Sequence, residues 1–288
     1  MSKLIEKAEK TKPFSLTAGG VLDSVPEKKA NGWARGLLMA NPSSATRLDE
    51  PSPIVFCDFD GTITQVDVTD AILERLADPQ WRDVEQAWVR GEIGSRECLA
   101  RQMALVRASA RELGSLIDSI PTDPGFADFY RCVEDRGVPF YVLSDGFDYV
   151  VRRVLRRSGV DGELRNGRHL FASALRLRGR RALPSFPHPA AGCEHGCATC
   201  KAAIMRRLGR GRRPVIFIGD GLSDRFAVQE ASLVLAKSRL LDYCQENGIA
   251  CQPFRTFADV QKTLDGMLAW GPAAARHRGS RKALAAVP

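Results

Sequence analysis

The sequence predicts an α/β fold, a doubly wound parallel sheet with a small all-helical insertion after its first strand. Three observations lead there. Short apolar runs rich in β-branched or aromatic residues alternate with segments of helical periodicity. Those runs lack in/out alternation, as strands buried on both faces do. The alternation then stops over residues 68–120, where four helical patterns follow one another with no strand between them. A chain of 288 residues, 44% of them hydrophobic, is long enough for one sizeable core, or for a core plus a small second domain.

Taken in order, residues 1–52 mix Lys, Glu, Gly, Ser and Pro with little periodicity beyond a short helical pattern at 31–40, and read as a disordered extension. Strand runs follow at residues 53–58, 138–143, 214–219 and 233–236. Helical patterns at 67–77, 81–90, 95–107 and 110–119 make up the insertion. Further ones at 125–136, 149–158, 201–208, 223–230, 238–246 and 257–268 separate the later strands. The core is therefore expected over 53–67 and 121–270, a helical cap over 68–120, and a basic tail over 271–288. In such sheets ligands bind at the carboxyl ends of the strands, so the cap should lie over that crevice.

Charge narrows the partners. The net charge of +8 comes mainly from arginine, with ten between Arg152 and Arg181 against Asp161 and Glu163. Such a field suits an anionic small molecule or nucleic acid, or it simply decorates solvated helix faces. Aromatics make up only 7% and do not interleave with the arginines, so a base-stacking surface is not expected. No apolar run approaches the ~18–20 residues of a membrane span, and the first residues lack a signal-like apolar stretch, so a cytoplasmic location is expected. Eight cysteines in that setting favour reduced thiols or a metal site over disulfides. Cys57 and Cys132 sit in apolar surroundings and read as small core residues.

Four motifs carry chemistry. The first strand runs into Asp58-Phe59-Asp60-Gly61-Thr62, where two carboxylates at i and i+2 can face one crevice while Gly61 lets the chain turn. Asp58 is the candidate nucleophile and Asp60 the candidate acid/base. The second strand ends in Ser144-Asp145-Gly146, where a hydroxyl and backbone amides can bind a phosphate oxygen. Lys201 opens a helix and could neutralise a phosphoryl group and the nucleophile. A third strand ends in Gly219-Asp220-Gly221, with Asp224 one helical turn on, an acid pair suited to a hard ion such as Mg²⁺. Each motif alone is also an ordinary turn or surface residue. Their order, each at a strand end or a helix start, makes four coincidences a poor explanation. A non-enzymatic nucleic-acid binder built from the arginines and cysteines leaves the four acids unexplained.

In these residues the sequence resembles the haloacid dehalogenase superfamily, over roughly 54–235. The resemblance implies a Rossmann-like core, Mg²⁺ held around Asp58, Asp60, Asp220 and Asp224, and an aspartyl-phosphate route. It implies phosphate binding by Thr62 with Ser144, Asp145, Gly146 and Lys201, a cap of the phosphoserine phosphatase type, and a small phosphorylated metabolite as substrate. Further features resemble a methionine-salvage subgroup: CDFDGTIT with Asp67, the segment PFYVLSDGFDYVV, FPH before a cysteine-rich stretch, and LLDYCQENGI. The rival subgroup is phosphoserine phosphatase. Asp67 stands where that enzyme places a substrate-binding carboxylate, but Gln102 falls where its carboxylate-binding arginine would lie, with Arg101 one place away, a rotation of ~100° on a helix. Oligomeric state has no signature in the chain.

Cys193, Cys197 and Cys200, with His188 and His195 nearby, offer enough ligands for tetrahedral zinc. Packed free thiols and a redox pair remain alternatives at this point.

Overall fold

The computed structural model describes residues 53–160, 164, 167–211 and 214–267. The extension over 1–52 and the tail over 271–288 lie outside the described residues. Among the described residues no helix is long and apolar enough to cross a membrane.

One seven-stranded sheet has the order β4-β3-β2-β1-β5-β6-β7. Its strands are β1 (Ile54–Cys57), β2 (Phe140–Phe147), β3 (Leu170–Arg178), β4 (Arg181–Ser185), β5 (Val215–Gly219), β6 (Leu233–Ala236) and β7 (Gln252–Pro253). All neighbours run parallel except the β3–β4 hairpin. The central strand shows why it carries no alternation of polarity. Val55 and Cys57 pack into one apolar cluster, Ile54 and Phe56 into the other, on opposite faces of the pleat.

Helices cover both faces. On the first lie α5 (Phe126–Asp135), α6 (Asp148–Arg157) and α9 (Phe257–Met267); Phe126 and Phe129 meet both Phe140 of β2 and Phe257 of α9 in tilted and edge-on pairs. On the second lie α7 (Lys201–Leu208) and α8 (Ser238–Glu246), through Ile204, Met205, Leu240 and Cys244. Between β1 and α5 come four helices, α1 (Val68–Leu76), α2 (Trp81–Val89), α3 (Ser95–Leu105) and α4 (Ala110–Asp118). Two have side-chain caps: the Asp67 carboxylate accepts from Asp70 N at the start of α1, and Ser109 and Glu112 form a capping box on α4.

Two sequence expectations are corrected. Residues 223–230 do not form a helix but two short 3₁₀ turns, Leu222–Asp224 and Val228–Glu230. There the Asp224 carboxylate accepts from the amides of Asp220 and Gly221, which bends the segment around its own side chain. The arginine-rich middle, which gave no strand signal, contains β3 and β4. Leucines alternate with arginines along β3 because one face packs and the other is solvated. Several arginines pair with carboxylates instead of forming a free cationic field: Arg180 with Glu112, Arg153 with Asp118, Arg206 with Glu230. The hairpin turn also anchors the helical insertion, since Ala108 N donates to Arg180 O at 3.0 Å.

Candidate active site

Strand ends bring the motifs together. β1 leaves the sheet at Asp58, whose amide still donates to Ile218 O of β5 (2.8 Å), so the first carboxylate is registered against the neighbouring strand. Lys201, at the first position of α7, reaches across and places Nζ 2.5 Å from Asp58 Oδ1 and 2.6 Å from Asp224 Oδ1. All three are almost wholly buried. The two carboxylates hold the Lys201 ammonium well above its usual range although burial opposes this.

Thr62 Oγ1 donates to Asp220 Oδ1 at 2.9 Å and stands 3.4 Å from Asp58 Oδ2. Carboxylate oxygens of Asp58, Asp220 and Asp224 lie within 4.8 Å of one another. Burial, together with the nearby Asp58 charge, pushes Asp220 and Asp224 up to about 7. The three acids face Lys201, in direct contact with Asp58 and Asp224, and Lys237 farther off, which leaves their negative charges only partly compensated. A divalent ion would offset them, and an all-oxygen donor set fits Mg²⁺.

Asp60 sits apart from that trio. Its Oδ1 accepts from Val68 N (3.1 Å) and its Oδ2 from Ser144 Oγ (3.1 Å), while Ser144 Oγ accepts from Gly146 N (2.9 Å). Burial first, then the charges of Asp67 and Asp58, raise Asp60 well above the carboxylate range. Of the four acids expected around the metal, the carboxylates of Asp58, Asp220 and Asp224 converge, and that of Asp60 lies outside the trio. Asp145 is tied from the other side, its Oδ1 accepting from Thr199 N at 2.8 Å in the segment that leads to Lys201.

Two glycines are fixed by close approach. Gly61 has φ +74°, and a Cβ on it would fall 2.4 Å from Asp220 Oδ2. A Cβ on Gly146 would fall 2.6 Å from Asp60 Oδ2. Gly61→Ala should therefore lower stability by about 1–3 kcal/mol and weaken activity by displacing Asp220; a fall in the urea midpoint with unchanged slope checks it.

These groups open on a cavity of about 450 Å³. Its far wall comes from the helical insertion and the two residues leading into it: Val66, Trp88 and Leu99 supply apolar surface, Asp67, Asp70 and Glu85 supply acid. Gln102 lines it too, buried and donating Nε2 to Glu85 Oε2 at 2.8 Å. Arg101 does not line the cavity. Its side chain is exposed and paired with Glu97, which removes it from the specificity residues expected from the sequence. Lys237 is an addition that sequence reasoning missed. It directly follows β6, donates Nζ to Thr62 O (3.3 Å), lies over the Phe254 ring and lines the cavity. Its position immediately after a strand end was the available signal.

The three cysteine sulfurs also come together, within 4.8 Å of one another. His188 and His195 do not join them: His195 stacks on Phe226 with rings 3.7 Å apart, and His188 meets Phe171 edge-on.

Comparison with known proteins shows the family and the fold. Residues 55–228 match the haloacid dehalogenase-like hydrolase family. The 2-hydroxy-3-keto-5-methylthiopentenyl-1-phosphate phosphatase of Geobacillus kaustophilus (strain HTA426) is 32% identical over 219 residues, 74% of this chain and 96% of that one. A Bacillus licheniformis protein named bifunctional enzyme MtnB/MtnX is 32% identical over 217 residues, 74% of this chain and 49% of the relative. A substrate-bound phosphoserine phosphatase shares the fold, with TM-score 0.56 and 17% identity, over 75% of this chain and 99% of the other. A phospho-aspartyl intermediate analogue of phosphoserine phosphatase gives TM-score 0.55 at 18% identity, over 74% of this chain and 98% of the other.

Proposed function

Because the chain belongs to the haloacid dehalogenase-like hydrolases and is a phosphatase, we propose that it hydrolyses 2-hydroxy-3-keto-5-methylthiopentenyl-1-phosphate, with Mg²⁺, through a phosphorylated Asp58. In the first step a free Asp58 oxygen attacks phosphorus. The new bond is carboxylate O–P, the broken one is P–O to the substrate alcohol, and the departing oxygen takes the Asp60 proton. Burial raises the Asp60 carboxyl well above the carboxylate range, which favours its carrying that proton beforehand. In the second step water attacks phosphorus, Asp60 takes back a proton, and Asp58 leaves as the free carboxylate with phosphate released.

The remaining residues position and compensate charge, as phosphoryl transfer requires. Lys201 holds Asp58 Oδ1, which directs the other oxygen toward the cavity, and its charge offsets the phosphoryl group. Ser144 Oγ, Gly146 N and Thr62 supply donors at the strand ends. Asp58, Asp220 and Asp224 would hold Mg²⁺, which supplies charge compensation for the phosphoryl oxygens.

The observation that carries the substrate is the far wall of the cavity. There Trp88, Leu99 and Val66 lie beside Asp67, Asp70 and Glu85, with Gln102, and among the described residues the one guanidinium lining the cavity, Arg239, lies near Asp70. A substrate carboxylate would face three acids there against that single cation. An uncharged tail ending in a methylthio group would meet apolar surface, while its hydroxyl could donate to the acids. We read the insertion as a cap that closes this wall over the bound substrate.

A panel of phosphate esters containing the methionine-salvage phosphate and phosphoserine tests the reading. The salvage phosphate should give kcat/KM at least ~100-fold above phosphoserine, and EDTA should abolish turnover until excess Mg²⁺ restores it. A preference for phosphoserine overturns the substrate; full activity in EDTA overturns the metal.

A further inference from the structure

We propose that Cys193, Cys197 and Cys200 bind one Zn²⁺ ion that fixes the segment carrying Lys201 and ties it to the helical insertion. The three are free thiols, and their sulfurs lie within 4.8 Å of one another. Zn–S bonds of ~2.3 Å in a tetrahedron place sulfurs roughly 3.8 Å apart, within reach of side-chain rotation from the arrangement seen. All-sulfur donors suit zinc and do not suit the hard ion expected at the carboxylates. The chelating trio is thus chemically distinct from the acidic one.

The segment needs such a tie. Between β4 and α7 it has no regular helix or strand, contains Ala190, Ala191, Gly192 and Gly196, and puts both glycines in the left-handed region (φ +74° and +59°). Its apolar anchors are few: Phe186 and Ala198 pack on the core, and His195 stacks on Phe226. Yet three working parts of the molecule hang on it. Thr199 N donates to Asp145 Oδ1 at the end of β2 (2.8 Å), and Cys200 N donates to His188 O (3.1 Å) immediately before Lys201. Arg96 N of α3 donates to Gly196 O (3.0 Å), and Arg96 Nη2 lies 3.4 Å from Cys197 O. Gly94 and Gly196 pack so closely that a Cβ on Gly94 would fall 2.8 Å from Gly196 Cα.

An ion bonded to residues 193, 197 and 200 closes this segment into two short loops, between the insertion contact and the lysine. Binding then contributes to folding directly, because the unfolded chain presents no preformed site. Among the described residues no fourth Cys, His, Asp or Glu joins the trio. Water fills the fourth position, from an adjoining cavity of about 330 Å³ that all three cysteines line.

The test uses the full chain, purified in reductant without chelator. Elemental analysis should give about one zinc per chain, as a single structural site requires. Exchange with Co²⁺ should give a thiolate-to-metal charge-transfer band in the near ultraviolet and strong tetrahedral bands in the visible. Asp220→Asn should keep both bands, which separates this site from the carboxylates, and Cys197→Ser should lose them. If Cys197→Ser does not fold, alkylation of the wild-type protein replaces it: the three thiols should resist iodoacetamide until a strong chelator is added. Zinc below about one-tenth per chain with no cobalt–thiolate band overturns the proposal. So does a mass two protons short that maps to a disulfide within the trio, or a cobalt–thiolate band that survives in Cys197→Ser. None of these readouts depends on which phosphate ester is hydrolysed.

Discussion

Asp58→Asn should lower kcat by ~10⁴-fold or more on every phosphate ester tested, as loss of a covalent nucleophile does in other enzymes. The amide is close in size to the carboxylate and can still accept from Lys201, so the fold should stay intact. It has no anionic oxygen to attack phosphorus. Stability should not fall in step with activity, because the substitution removes one of three mutually repelling acids, Asp58, Asp220 and Asp224. A thermal midpoint equal to or above that of the parent, with turnover at background, is the expected pair of results. A loss of only ~10-fold would mean that water attacks phosphorus directly and that Asp58 merely positions it.

Lys201→Met should damage both activity and folding. The ammonium is buried between Asp58 Oδ1 and Asp224 Oδ1, at 2.5 and 2.6 Å, and among the described residues no other cation pairs with either. Removing one partner of a buried pair costs about 3–5 kcal/mol because it strands the other charge. Here two carboxylates are stranded. The thioether fills a similar volume, so the loss reports charge and not a cavity. Turnover should fall by ~10²–10³-fold, the range expected when one electrostatic stabiliser is lost. Part of the stability loss should return with saturating Mg²⁺, since an ion at the carboxylates replaces some of the missing charge. Denaturant melts with and without Mg²⁺ measure this. Equal destabilisation in both conditions would contradict the placing of the ion beside Lys201.

How much of this was visible in the sequence depended on how each residue meets its surroundings. Strands β1, β2, β5 and β6 are buried on both faces, so their residues must be continuously apolar, and a run such as Ile54–Cys57 announces itself. The β3–β4 hairpin is different. Its arginines face solvent at the sheet edge, and Arg176 and Arg178 hid the strand behind the look of a charge run. β7 is two residues long, too short for any pattern.

The same logic divides the site. Asp58, Ser144 and Asp220 follow or end buried strands, so finding those strands also placed them on one edge. Lys201 was placed by the helix it opens. Lys237 also follows a strand, but a lone lysine carries no pattern of its own, and only its proximity to Thr62 O marks it. Arg101 and Gln102 were separated by helix phase. A single residue step decides which side chain enters the cavity, and the register of α3 against α2 sets that step. The converging sulfurs of Cys193, Cys197 and Cys200 depend on the left-handed turns at Gly192 and Gly196, which spacing alone does not specify.

The account rests on phosphate passing through Asp58, and a quenched reaction tests that most directly. Phosphoenzyme should be present when the parent enzyme is mixed with substrate and Mg²⁺ and stopped in acid within one turnover. Borohydride reduction and peptide mass mapping should then find the acyl carbon reduced at Asp58 and at no other carboxylate, with the amount matching the alcohol released in the burst. Alcohol and phosphate appearing together while every Asp58 carboxylate stays unmodified would contradict the covalent route.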